Sequence, residues 1–224
     1  MKKNLFVTVG LLCATSSVLA QGTIRFDNRV TGTQTGFAAA VVAPIYGVDP
    51  NFPLQVKKGN AATGPTTPIP QGTQTYGGQP LVGSGYTASL WARTAGSGAA
   101  FVQAATTPFR TTTSTTLFGF WTTPGTAVVL PGIPSDATTR AEILIRVWDN
   151  QGGTVTSWDA AVQRGNVAIG QSDPFVVPYQ LGGGTVLPPT LQGLQSFQCP
   201  VPEPSVIALG VLGAGCFLLL RRRK

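Results

Sequence analysis

Ala141-Glu142-Ile143-Leu144-Ile145-Arg146-Val147-Trp148 is the stretch on which the fold turns. Successive side chains of an extended strand point to opposite faces, so Ala141, Ile143, Ile145 and Val147 fall on one side and Glu142, Leu144, Arg146 and Trp148 on the other. A helix would spread the same four apolar residues around its circumference. Shorter runs of this kind lie at 23–30, 39–48, 86–93, 116–121, 126–130, 174–179 and 195–199, with Gly, Pro, Asn and Asp between them. Eight short strands so separated predict an all-β body, an antiparallel β-sandwich of Ig-like or jelly-roll-like form.

One short helix is expected inside that pattern. Thr156, three residues before Asp159, reads as a capping box, 158–164 holds good helix formers, and Gly165 can close the last turn. Residues 57–85 carry Pro65, Pro68, Pro70 and Pro80 and read as a long loop or edge segment. The Thr-rich tract 106–116 reads as a β-prone edge and loop, with surface O-glycosylation as a weaker alternative. No repeat at a period of about 20 to 50 residues is visible, which sets propellers and solenoids aside.

Composition agrees with one loop-rich domain. The chain has 224 residues, 42% apolar and 10% charged, with 28 Gly and 18 Pro. That is too little Gly and Pro for low-complexity disorder, and no collagen or heptad period is present. The net charge of +7 invites a nucleic-acid reading. However, Lys2, Lys3, Arg221, Arg222, Arg223 and Lys224 take six of the fifteen basic residues, leaving nine against eight acids. A nearly neutral body has no electrostatic footprint for a phosphate backbone, so nucleic acid is not an expected partner.

Both ends read as addresses. Lys2 and Lys3, an apolar run over residues 5–14 and small residues closing on Ala20 predict a signal peptide over 1–20, cut by signal peptidase between Ala20 and Gln21. Residues 21–198 would then be the ectodomain and 199–224 a tail. The tail places Pro202, Glu203 and Pro204 before fifteen uncharged residues, 206–220, and a basic cluster at Arg221, Arg222, Arg223 and Lys224. As a helix the apolar run spans roughly 22 Å, short of a hydrocarbon core of about 30 Å. Snorkelling Arg and Lys stems make up the difference and hold the basic end cytoplasmic.

In these residues the tail resembles the PEP-CTERM sorting domain of exosortase substrates in Gram-negative bacteria, over about the last 25 residues. The resemblance implies recognition of Pro202, Glu203 and Pro204 by a membrane-embedded, cysteine transpeptidase-like enzyme. It further implies cleavage near that motif and delivery to the cell surface or extracellular matrix, in a setting of exopolysaccharide or biofilm production. More loosely, Gly22-Thr23-Ile24-Arg25-Phe26-Asp27-Asn28-Arg29 and Leu191-Gln192-Gly193-Leu194-Gln195-Ser196-Phe197 resemble stretches of bodies that stand before such tails.

Catalytic equipment is sparse. The chain contains no histidine, which excludes Ser-His-Asp and Cys-His machinery and His-based metal sites. Cys13 belongs to the leader and Cys216 to the tail, so Cys199 has no cysteine in the body to pair with. It is read as inert in preference to an intermolecular disulfide. Asp149-Asn150 before Gln151-Gly152-Gly153 reads as a hairpin turn, and a Ca²⁺ site from Asp149, Asn150 and Asp159 lacks any recognised spacing. No cofactor and no metal are expected. The leading reading is a non-enzymatic surface or matrix protein. The alternatives are a carbohydrate-binding module using Trp148 and Trp158 as an aromatic shelf, or a carbohydrate-active enzyme using a carboxylate pair such as Glu142 and Asp149.

Overall fold

The alternation at 141–148 produces the central strand, and the other elements assemble on its two edges and two faces. The computed structural model describes residues 20–31, 41–62 and 72–202. The rest of the expected leader, Glu203, Pro204, the apolar segment 206–220 and Arg221 to Lys224 lie outside the described residues. The elements are β1 (Gln21–Ile24), β2 (Arg29–Val30), β3 (Val41–Val42), β4 (Tyr86–Thr94), β5 (Val102–Pro108), β6 (Val128–Pro134), β7 (Ala141–Asp149), α1 (Trp158–Arg164), β8 (Ile169–Gln171) and β9 (Phe175–Val176).

Every strand pairing is antiparallel. Five strands form one sheet in the order β5-β4-β7-β8, with β9 pairing β7 further along the edge that β8 uses. β7 pairs with β4 over its whole length, from Thr94↔Ala141 to Tyr86↔Asp149. Two smaller sheets, β1-β6 and β2-β3, complete the all-β architecture. Ala141, Ile143, Ile145 and Val147 enter one core with Ala88, Leu90 and Ala92 of β4, Ile24 of β1, Leu130 and Ile133 of β6 and Phe26. The face chosen by alternation is therefore the buried one.

The four-residue turn before β7 is clasped by Asp136. Its carboxylate accepts from the backbone N–H of Thr138 and Thr139 and from both hydroxyls. Those bonds, Thr139's hydroxyl foremost, hold Asp136 well below the usual carboxylate range.

Several expected strands are shortened or displaced. The run 23–30 is broken at 25–28, where Asn28 turns its amide inward. Residues 39 and 40 lie outside the described residues, and of 41–48 Val41 and Val42 form the strand. The expected strand 116–121 is replaced by a 3-10 turn, Thr115–Leu117, and by Gly119 at φ 83°. A Cβ at that glycine would stand 2.6 Å from Pro44 Cβ, so both the backbone angle and the space favour glycine. β5 and β8 were not expected as strands: β5 opens ahead of the Thr-rich tract, which yields only its last residues, and β8 is three residues long. The segment 195–199 is held by single bridges, Phe197 to Lys58 and Gln198 to Tyr46. Helix α1 has the expected span and closes on Gly165 in the left-handed region, but Ser157, not Thr156, is its N-cap, accepting from the N–H of Ala160. Asp149-Asn150 turns into a short 3-10 segment that leads to α1, not into a two-strand hairpin.

The least replaceable polar group of the core is Asn28, fully buried. Its Nδ2 donates to the carbonyls of Ala43 at 2.9 Å and Gly119 at 3.0 Å, and its Oδ1 accepts from the N–H of Trp121 at 3.2 Å. Three segments remote in sequence are joined by one amide. Asn28→Ala should lower unfolding free energy by at least about 2 kcal/mol in urea titration, since it orphans the Ala43 carbonyl and the Trp121 N–H at about 1–3 kcal/mol each, while the Gly119 carbonyl keeps the N–H of Ile45. Asn28→Asp should be worst at neutral pH, because a carboxylate would face two carbonyl oxygens and its pKa would rise. Its deficit should shrink as pH falls toward about 4, where the carboxyl gains a proton to donate. A variant insensitive to pH would show that the carboxylate escapes to solvent.

Candidate functional site

The even-numbered face of β7 carries the aromatic chemistry. Arg146 lies with its guanidinium 4.3 Å from the ring centroid of Trp91 and 5.2 Å from that of Trp158. Trp91 is brought there by β4, where it stands opposite Leu144, and Trp158 by the first turn of α1. An Arg between two indoles gains cation–π attraction on both sides. Its Nε is buried without a hydrogen-bond partner, and burial pushes the Arg146 pKa down, against an upward pull from Asp159. A second stack of this type, Arg93 over Phe101 at 4.3 Å, lies further along the sheet.

Trp148 does not join this surface. Only 1% exposed, it packs with Val155, Ala161 and Val167 in a second, smaller core beneath α1, and its Nε1 donates to the Val155 carbonyl at 2.9 Å. Helix α1 covers this end of the face and turns the expected shelf residue into core. Trp158 remains half-buried and borders a cavity of about 390 Å³ lined also by Leu54, Val56, Lys58, Ile169, Gly170, Gln171, Gln198, Pro200, Val201 and Pro202. Of the two expected shelf residues only Trp158 reaches a concave surface.

That cavity sits at the C-terminal end of the described residues. The segment through Phe197 and Cys199 is sewn into the core: Tyr46 N–H donates to the Phe197 carbonyl, Cys199 N–H to the Tyr46 carbonyl, Gln198 N–H to the Lys57 carbonyl, and Ile169 N–H to the Pro200 carbonyl. Tyr46 stacks on Tyr76 at 4.1 Å, and the Tyr76 hydroxyl donates toward the carbonyls of Gly59 and Ser196. Cys199, assigned by sequence to the tail, is fully buried. Burial pushes its thiol pKa well above the ordinary value, so it offers no nucleophile and no partner for a disulfide between chains. Gly170 lies against it with no room for a side chain, since a Cβ there would meet Cys199 Sγ at 2.8 Å. Ala20 and Gln21 lie at the start of β1, and Ser135 N–H donates to the Ala20 carbonyl.

The acids are used structurally. Glu142 accepts from Arg93 Nε at 2.7 Å. Asp149 accepts from the backbone and side-chain amides of Gln151. Seven residue steps along the strand separate Glu142 from Asp149, about 23 Å on opposite faces, whereas paired glycosidic carboxylates stand about 5–10 Å apart. These two cannot act on one glycosidic bond. Asn150 donates to the Ser84 carbonyl and the Thr87 hydroxyl, and among the described residues no three His, Cys, Asp or Glu side chains gather as a metal site.

Sequence reasoning missed Arg146, Trp91 and Gln198. Alternation assigned Arg146 to the outer face, yet its two aromatic partners come from another strand and a helix. Gln198 lines the cavity with neither its amide nitrogen nor its oxygen hydrogen-bonded, although both are buried. Gln198→Leu should therefore stabilise the fold by about 1–3 kcal/mol in urea unfolding, by removing an unsatisfied amide while its backbone bonds remain. A loss of stability would show that the amide has a bound partner in solution.

Compared with models of known protein families, with curated proteins and with solved structures, the chain matches none, and its own geometry is the ground for a functional reading.

Proposed function

We propose that this is a secreted, non-enzymatic surface or extracellular-matrix protein of a Gram-negative cell. It is held for a time in the inner membrane through residues 206–220 and Arg221 to Lys224, then cut by an exosortase-type enzyme near Pro202-Glu203-Pro204. The body is read as a two-layer sandwich, its second layer built by β1-β6 and β2-β3 against the inner face of the five-stranded sheet. Membrane and processing enzyme are its partners in transit, and exopolysaccharide matrix its destination. Among the described residues no helix is long and apolar enough to cross a membrane, so anchoring falls to the C-terminal apolar segment.

The observation that carries this reading is where the body ends. Core packing runs through Phe197, Cys199 and Pro200, and the motif begins at Pro202 with almost no linker between. Pro202 and Pro204 fix their own φ and disfavour helix in the residues before them, which keeps the motif extended and open to an enzyme. A cut there would release a fully folded body.

Carbohydrate binding is the second reading, favoured by the half-buried Trp158 at the cavity rim. Aromatic faces beside a groove are a common way to hold sugar rings. It differs from the first reading only in giving the body a defined ligand. A glycan array probed with the released protein would separate them, the binding reading requiring a signal that Trp158→Ala abolishes.

Mass spectrometry of released protein should find an N-terminus at Gln21 and no peptide from Val206 onward. Glu203→Ala should leave the chain uncleaved in the membrane fraction. Peptides from residues 217–220 in extracellular material would overturn the sorting reading and leave a plain membrane anchor.

A further inference from the structure

We infer that the face formed by Phe52, Leu54 and Val56 rests on the lipid bilayer while the chain is anchored, so that the body lies against the membrane instead of standing off it. This rests on the proposed anchoring through 206–220 and adds to it an orientation and a lipid contact.

Three of the nine exposed large apolar side chains among the described residues fall within five residues: Phe52 at 60% exposed, Leu54 at 47% and Val56 at 64%. They are held outward by a fixed loop. Asp49 accepts from Asn51 N–H through its side chain and from Phe52 N–H through its carbonyl, Gln55 N–H donates to the Phe52 carbonyl, and Gln198 N–H ties down Lys57. Contiguous apolar groups kept in water in this way mark a surface that meets something apolar.

The occupant follows from chain length. Leu54 and Val56 share their cavity with Val201 and Pro202. Four residue steps lead from Pro202 to Val206, where the uncharged segment begins, and at roughly 3.3–3.6 Å each they reach at most about 14 Å. The headgroup layer itself is roughly 5–8 Å thick on each side of the hydrocarbon. A bilayer holding Val206 therefore passes close to the Leu54 and Val56 side of the body, and the stiff Pro202 and Pro204 leave little slack for turning away.

Charge contributes little to this contact. Lys58 is paired with Asp173 at 2.6 Å and Lys57 with Asp49 at 3.7 Å, so the two basic residues of the loop are offset by two acids. The contact is apolar, and it should survive a change from anionic to zwitterionic lipid.

The test uses residues 21–224 with Cys216→Ser, reconstituted into phosphatidylethanolamine and phosphatidylglycerol vesicles. A nitroxide is placed at Leu54→Cys, at Val56→Cys, or at Val129→Cys on the exposed side of β6; buried Cys199 is not labelled. Labels at 54 and 56 should show a several-fold higher ratio of oxygen to nickel-chelate accessibility than the label at 129. Equal water exposure at all three, in protein that resists alkaline carbonate extraction, would overturn the membrane contact while leaving the anchor intact. Extraction by carbonate would remove the anchor and this inference with it. Dipolar broadening between labels at 54 without oxygen contact would assign the face to a second copy of the chain and overturn the lipid reading.

Discussion

A buried primary amide that must satisfy four hydrogen-bonding positions in a dry interior constrains more of a fold than any apolar side chain can. Asn28 meets three of those with backbone groups from two distant segments. The segment it fixes leads directly to Trp121, whose indole donates to the Phe26 carbonyl and whose ring tilts on Phe26 and meets the edge of Phe109. Phe109 in turn stands edge-on to Tyr86 at the start of β4. One polar anchor thus sets the position of an aromatic series that reaches the central sheet. An apolar residue at position 28 could fill the volume but could not choose among neighbouring registers, because apolar contact is non-directional.

The second constraint is directional in a different sense. β7 must serve two cores at once, one with β4, β1 and β6 on its odd face and one with α1 on its even face. The inner core is continuous, while the outer one covers only the Trp148 end. Where cover stops, Arg146 takes over, its stem and flat guanidinium filling the space between Trp91 and Trp158. The cationic stack is what remains when the even face carries Arg146 beside Trp148 and the covering helix is only seven residues long.

How much of this was legible depends on whether the determining partner was local. The odd face of β7 could be read from 141–148 alone, because period-two alternation is a property of one segment. Helix α1 was legible to within one residue at its cap, since Thr156 and Ser157 are both competent and only the local φ/ψ selects Ser157. The fate of Trp148 was not legible: whether an outward-facing indole is shelf or core depends on what lies over it, and Val155 and Ala161 belong to elements with their own placement. β5 was missed at residues 102–105, where Val102 is the one large apolar side chain; its last three residues fall in the tract read as a β-prone edge and loop, and an edge strand tolerates Pro108. The assignment of 116–121 failed at Gly119, which has a left-handed backbone and lies against Pro44, 75 residues away, with no room for a Cβ. The cavity was invisible for the same reason, since the two sides of it, 54–58 and 198–202, are joined next to it by a single bridge, Lys58 to Phe197, and by backbone bonds from Gln198 to Lys57 and from Gly59 to Ser196.

The way Leu191, Leu194, Phe197 and Cys199 are built into the main core has a temporal consequence. A chain delivered from its N-terminus presents β1 first, but β1 finds β6 more than a hundred residues later, and Thr23 also bonds Gly182. The last core residues emerge only a few positions ahead of the apolar segment. Until then Tyr46 has only its bridge to Pro80 and lacks the one to Gln198, and the inner face of β7 stays partly uncovered. The body cannot close early: its core is complete only once residues 191–199 are available, and a chain halted short of residue 199 is left with an open hydrophobic face.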